Sequence, residues 1–238
     1  MKIKIKLSLI VIAIVAVIVT AVAVVLLREA SGISVNLSKR SINFLAAHRA
    51  EYWKGREDGF IRVLRTLANV MSNYEEVPAA ERRDRFDEML KSVITAETAM
   101  YQVYTVWKPN AVDGMDSRYI GRNGSTETGQ YGMTFTQENG KIESRVTGDI
   151  ATSMSYLNGT DARKDRVEHP VPRNINGKDT YFVRMMVPII NPRTNEVVGG
   201  VGCLLVIDGI QPTIENTLKT REEITAMAIY SSNGFIMA

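Results

Sequence analysis

The side chains of this 238-residue chain best suited to chemistry are two histidines, one cysteine and a short acidic loop. His48 and His169 have no His, Cys or Glu at metal-ligand spacing, so the spacing predicts no metal centre. Cys203 stands alone in an apolar run, Val201 to Leu205, which forbids an internal disulfide and predicts a buried, inert thiol. "KPNAVDGMD", Lys108 to Asp116, carries carboxylates at Asp113 and Asp116. A calcium loop needs more alternating oxygen ligands and a closing bidentate Glu, so this stretch reads as a turn or as the edge of a pocket. No Gly-rich phosphate loop, G-x-S-x-G elbow or Cys-x-x-Cys is present. The expectation is a protein without catalytic residues, metal or cofactor.

What remains is recognition chemistry. Aromatic residues interleave with hydrogen-bonding groups at Tyr101, Tyr104, Trp107, Tyr131, Phe135 and Tyr181, with Asp113, Gln130 and Arg184 near them in sequence. Concave apolar sites with a few placed polar groups hold small molecules. The candidate ligand-binding set is Tyr101, Trp107, Asp113, Gln130, Tyr131, Phe135 and Arg184. Each also suits an ordinary core, and the binding reading requires them to converge.

Charge narrows the partners. Lys2, Lys4, Lys6 and Arg28 are the only charges in the first 28 residues; removing them from the 29 basic residues leaves 25 against 26 acidic. The remainder has no electropositive field for nucleic acid. Residues 7–27 hold no charge, and at 1.5 Å per residue this run matches a bilayer's hydrocarbon core of roughly 30 Å. Three preceding lysines predict a cytoplasmic N-terminus, residues 1–6, with everything after residue 28 on the far side. A cleavable signal peptide has a shorter apolar run than this one. A type IV pilin would need a Gly-Phe processing site followed by Glu, which is absent.

The elements that must position the candidate set follow. Ile42, Ala46, Trp53, Phe60, Leu64, Leu67, Met71 and Tyr74 recur on one helical stripe, predicting a long exported helix over 28–74. Its membrane-proximal part is expected to face a second copy, giving a homodimer, or else its own domain. After Pro78 a second helix carries Phe86, Met89, Leu90 and Val93 on one face, with the charges of Glu81 to Asp87 read as solvated. "MYQVYTVW" reads as a strand, and "TFTQENGKIES" as a hairpin turning at Asn139-Gly140. Two long strands pair across Pro192 to Asn195; the Gly-, Pro- and Asn-rich stretch between the hairpins reads as loop with one short helix. A helix over Asp208 to Thr220 and a final hairpin at Ser232-Asn233-Gly234 complete an α+β plan.

In this order the segments "VYTVWKPNAVDGMDS", "TGQYGMTFTQENGKI" and "VPIINPRTNEVVGGVGCLLVIDGIQ", behind a membrane span and a long helix, resemble the double Cache sensor domain of bacterial methyl-accepting chemotaxis proteins. The resemblance implies a PAS-like antiparallel sheet, a membrane-distal Cache module over 75–220 and the start of a truncated proximal module over 221–238. It implies location in the bacterial inner membrane and small-molecule sensing coupled to chemotaxis. A histidine kinase or cyclase output, or an envelope binding protein without signalling, are the alternatives. Two departures bear on the ligand: Gln130 stands where relatives commonly carry Arg, and Leu204 where amino-acid-binding relatives carry Asp. Both charged handles for a zwitterion are missing from those places.

Overall fold

The computed structural model describes residues 2–148, 150–175, 178–207, 210–221 and 224–230. Two compact units divide the chain, residues 1–55 and 56–238. In the first, helix α1 (Lys2–Ser72) begins with the apolar run, and its large apolar side chains from Ile3 to Leu27 are all exposed. The helix is long and apolar enough to cross a membrane, and it is the one such helix among the described residues. Farther along the same unit Ile42 and Phe44 are also exposed.

The second unit opens with the last turns of α1, where Phe60, Leu64, Leu67 and Met71 of the stripe are buried. Burying each such side chain contributes about 1.5–3 kcal/mol. A 3₁₀ turn at Tyr74–Glu76 ends the helix, and Pro78 precedes a second, Ala79–Glu81, that leads into α2 (Arg82–Ala96). Pro78 sets the entry because its fixed φ suits the start of a helix and its missing N–H has no partner to lose there. Phe86, Leu90 and Ile94 form the buried face of α2, and Arg83 shares it. The reading of Arg83 as part of a solvated face is therefore corrected: one helical turn before Phe86, it is carried into the core.

Strands β1 (Met100–Trp107), β2 (Met133–Glu138), β3 (Lys141–Val146), β4 (Arg166–Val167), β5 (Val171–Ile175), β6 (Lys178–Ile190) and β7 (Val197–Val206) make one antiparallel sheet in the order β3-β2-β1-β7-β6-β4, with β5 also on β6. Helices α3 (Ile150–Asn158) and α4 (Ile210–Thr220) complete it. Asn139 and Gly140 both take positive φ, 50° and 76°, as the predicted β2–β3 turn requires. Pro188 lies past the β4 pairing at Met185 and Met186, where β6 has no outer neighbour among the described residues to receive an N–H. β4 and β5 fall in the stretch read as loop. The final hairpin predicted at Ser232-Asn233-Gly234 lies outside the described residues.

Alternation along the strands builds two cores. Val103, Trp107, Met185, Val187, Val201, Cys203 and Leu205 join α1 and α2 in the larger cluster. Tyr104, Val106, Met186 and Val197 join Leu157 of α3 in a smaller one. The sheet thus has a helix-bearing face toward α1 and α2 and a second face toward α3.

Candidate site on the α3 face of the sheet

The candidate residues divide between these faces. Trp107, Tyr131 and Phe135 belong to the core under α1 and α2. Trp107 stacks on Phe86 with ring centroids 5.4 Å apart and meets Tyr74 edge-on at 5.2 Å. Tyr131 donates from Oη to Asp87 Oδ1 at 2.7 Å, and Gln130 Nε2 donates to the Trp107 carbonyl at 2.7 Å. Burial raises the Asp87 carboxyl pKa, against the lowering pull of Tyr131 and Arg122. Tyr101 instead rests on Phe182, ring centroids 5.0 Å apart, and Arg184 alternates with core-facing Val183 and Met185. The set does not converge on one place.

Asp113 is held by a residue the sequence reading passed over. Arg83 donates from Nε to Asp113 Oδ2 at 2.6 Å, and from Nη2 to Asp113 Oδ1 at 3.1 Å and Asp116 Oδ1 at 2.6 Å. Its Nη1 donates to Ser125 Oγ at 3.1 Å and to the Gly129 carbonyl at 2.8 Å. All five guanidinium N–H groups are used. The carboxylates accept further bonds from the backbone N–H of Asn110 and Met115. A fully satisfied charge of this kind pins the loop between β1 and β2 onto α2 and leaves nothing to offer a ligand.

The α3 face is different. Its cross-strand rows run Thr136, Gln102, Leu204, Arg184 and then Thr134, Tyr104, Gly202, Met186. Gln102 Nε2 donates to Thr136 Oγ1 at 3.0 Å, closing that end of the first row. At the other end Arg184 Nε lies 3.7 Å from Glu168 Oε2, and the Glu168 N–H donates to the Arg184 carbonyl at 2.8 Å. The Tyr156 hydroxyl of α3 bonds toward the Glu168 carboxylate, which raises its pKa, while Arg166 lies over the Tyr156 ring at 4.0 Å. Tyr104 is buried at 5% exposure, and burial above all pushes its phenol pKa up. Arg184, Glu168 and Tyr156 are all near enough to bear on that ionisation.

Two glycines shape this face. A Cβ at Gly202 would sit 2.5 Å from Tyr104 Cζ and Oη, so the Tyr104 ring lies flat across β7 only because position 202 has no side chain. At Gly200 a Cβ would meet Met186 Cε at 2.4 Å. The strap from Gly159 to Glu168, which packs Ala162 against the smaller cluster and includes β4, is fastened at three points. Arg163 donates to Asn195 Oδ1 at 2.9 Å, Asp165 Oδ2 accepts from Arg65 Nε at 2.5 Å, and Glu168 pairs with Arg184.

This arrangement sets hydrogen-bonding groups beside aromatic rings. Cys203 faces the larger core, and burial pushes its thiol up to about 12, far from a thiolate. No group of three metal-ligating side chains exists among the described residues. Tyr104, Tyr156 and Glu168 were absent from the predicted set. The sequence signal for Tyr104 is the pair of glycines inside an otherwise apolar strand, which marks close approach by a neighbour. Glu168 had no signal, because its partner is 16 positions away.

No family model and no curated protein matches this sequence. Solved structures do. The extracellular domain of the candidate histidine kinase mmHK1S-Z2 is similar with a TM-score of 0.64 at 20% identity, over 75% of this chain and 64% of that one. That of mmHK1S-Z3 gives 0.54 at 18% identity, over 72% and 56%. A domain of a candidate sensory box/GGDEF family protein from Vibrio parahaemolyticus gives 0.55 at 13% identity, over 85% and 71%. The chain spans about three fifths of the two kinase domains' length. The antiparallel sheet with α1 and α2 on one face and α3 on the other is thus an α+β, PAS-like sensor fold.

Proposed function

We propose that this chain is the membrane-anchored sensory part of a bacterial signal-transduction receptor, binding a small molecule on the α3 face without transforming it. The observation that carries the reading is the buried Tyr104 beside the half-buried Tyr156, Glu168 and Arg184, on a fold shared with sensor domains. Lys2, Lys4 and Lys6 support a cytoplasmic N-terminus with residues after 28 on the far side. The exposed apolar residues Ile42 and Phe44 on α1 support a homodimer through that helix. A ligand acts by favouring one arrangement of the strap over another, and its effect is bounded by its differential affinity for the two.

The likeness of "VYTVWKPNAVDGMDS" and "TGQYGMTFTQENGKI" to double Cache domains supports a chemoreceptor output. A kinase or GGDEF output is the second reading, favoured by the likeness to the three solved domains. Reading the gene past codon 238 separates these, since long heptads support the first and an enzymatic domain the second. The sensing reading is tested by thermal unfolding of the full chain in lipid nanodiscs against a metabolite library. Ligand at 100 times its Kd stabilises by about 2.7 kcal/mol, a clear rise in Tm. A library in which no compound raises Tm would contradict it.

A further inference from the structure

Two polar atoms on the α3 face are buried without a hydrogen-bond partner among the described residues: Tyr104 Oη and Glu168 Oε1. Native proteins rarely leave such atoms unmet, and each exception calls for an explanation. Here the two are of opposite kind. Burial keeps the Tyr104 phenol protonated, so its hydroxyl is a donor. Glu168 Oε1 belongs to a carboxylate and can only accept.

The formal charges beside them are already matched. Arg184 faces the other Glu168 oxygen at 3.7 Å, and the Glu168 backbone N–H is bonded to the Arg184 carbonyl at 2.8 Å. A ligand bringing a net charge, or the separated charges of a zwitterion, has to compete with this partly shielded pair, whose side chains are 13% and 22% exposed, whereas a neutral ligand leaves it in place. What the face leaves unmet is one neutral donor and one acceptor. Aromatic rings lie near them. Tyr156 lies beside Glu168 with Arg166 over its ring, and the Tyr101–Phe182 pair sits where β1 and β6 continue past Gln102 and Arg184.

Resting on the placement of the site under Proposed function, we infer that its ligand is a small, neutral, planar molecule of the amide type. Such a molecule, whether lactam, ureide or nucleobase, offers a carbonyl to the Tyr104 hydroxyl and an N–H to Glu168. The face is closed as it stands: Tyr104, Phe182 and Leu204 are 5%, 2% and 4% exposed. Entry therefore requires the strap from Gly159 to Glu168 to lift.

The test uses the full chain in nanodiscs with uracil, 2-pyrrolidone and allantoin as probes. Glycine, alanine, succinate and ethylamine represent zwitterions, an anion and a cation. At least one amide-type probe is expected to raise Tm, and none of the charged probes. In Tyr104→Phe the ligand-free Tm is expected to hold or rise, because an unmet hydroxyl is removed without change of shape. Affinity for the responding probe, measured by calorimetry, is expected to fall about tenfold. Glu168→Gln, which presents an amide in place of the carboxylate, is expected to weaken the same probe severalfold. A response to the charged probes alone overturns the inference and leaves the sensing reading intact. So does an unchanged affinity in Tyr104→Phe. Silence from all seven probes overturns it as well, and the wider metabolite library then decides whether sensing itself stands.

Discussion

Arg83 shows how far one side chain can organise a structure. Its five donors reach Asp113, Asp116, Ser125 and Gly129, so the loop joining β1 to β2 is fastened to α2 through a single guanidinium. Side-chain exposure is 1% for Arg83 and 0% for Asp113, too low for water to substitute for the contact. Arg83→Ala leaves two buried carboxylates facing each other and is expected to cost about 3–5 kcal/mol in chemical denaturation. Arg83→Lys is expected to cost less, since a point charge with three donors meets part of the same set. A loss below about 1 kcal/mol in Arg83→Ala would contradict this role. The sequence held a readable clue: Arg83, Phe86, Leu90 and Ile94 share a helical stripe, and a cation on an apolar stripe implies a buried counter-charge. The mixed charges around it concealed that clue. Asp113 was singled out for the right reason, a carboxylate in a turn-rich loop. Its partner is the protein itself.

Among the elements, those with strong internal pattern were legible and those defined by a neighbour were not. The apolar stripe fixed where α1 is buried, Asn139-Gly140 fixed a hairpin, and the β-branched runs fixed β1, β6 and β7. β4 and β5 have no such pattern: "RV" and "VPRNI" are polar and carry a proline. They are strands because β6 pairs β7 along one edge and offers the backbone groups of its other edge, which segments of nearly any composition can fill. The division of the aromatic residues between two faces was hidden for a related reason. Strand alternation can be read from sequence, but which face each loop and helix then covers cannot. The β7 glycines lead to an element-level prediction. Gly202→Ala drives a Cβ to 2.5 Å from both the Tyr104 ring and the Met185 carbonyl, on the sheet's central strand. It is expected to lower stability by about 1–3 kcal/mol and to displace Tyr104 from the candidate site. An unchanged Tm would mean that the ring has room to move, and would remove the case for position 202 as the seat of that side chain.

At the scale of the whole molecule, two physical facts set the account. An uncharged apolar run over 7–27 exposes large aliphatic side chains that water does not tolerate in such number, and a bilayer does. The unit from Arg56 onward has its own cores and a PAS-like fold, and its 21 basic against 24 acidic residues suit neither nucleic acid nor an anionic lipid surface. The span was legible because length and charge asymmetry are properties of sequence alone. The proposed ligand face was not, since it depends on Tyr104, Tyr156, Glu168 and Arg184 meeting from β1, α3, β4's flank and β6. The central claim, that this unit faces away from the cytoplasm to sense a solute, is tested most directly by protease accessibility in two membrane preparations. In intact spheroplasts expressing the full chain, added protease is expected to digest the unit after Arg56. In inverted vesicles the unit is expected to survive until detergent is added. Protection in spheroplasts with digestion in inverted vesicles would contradict the account.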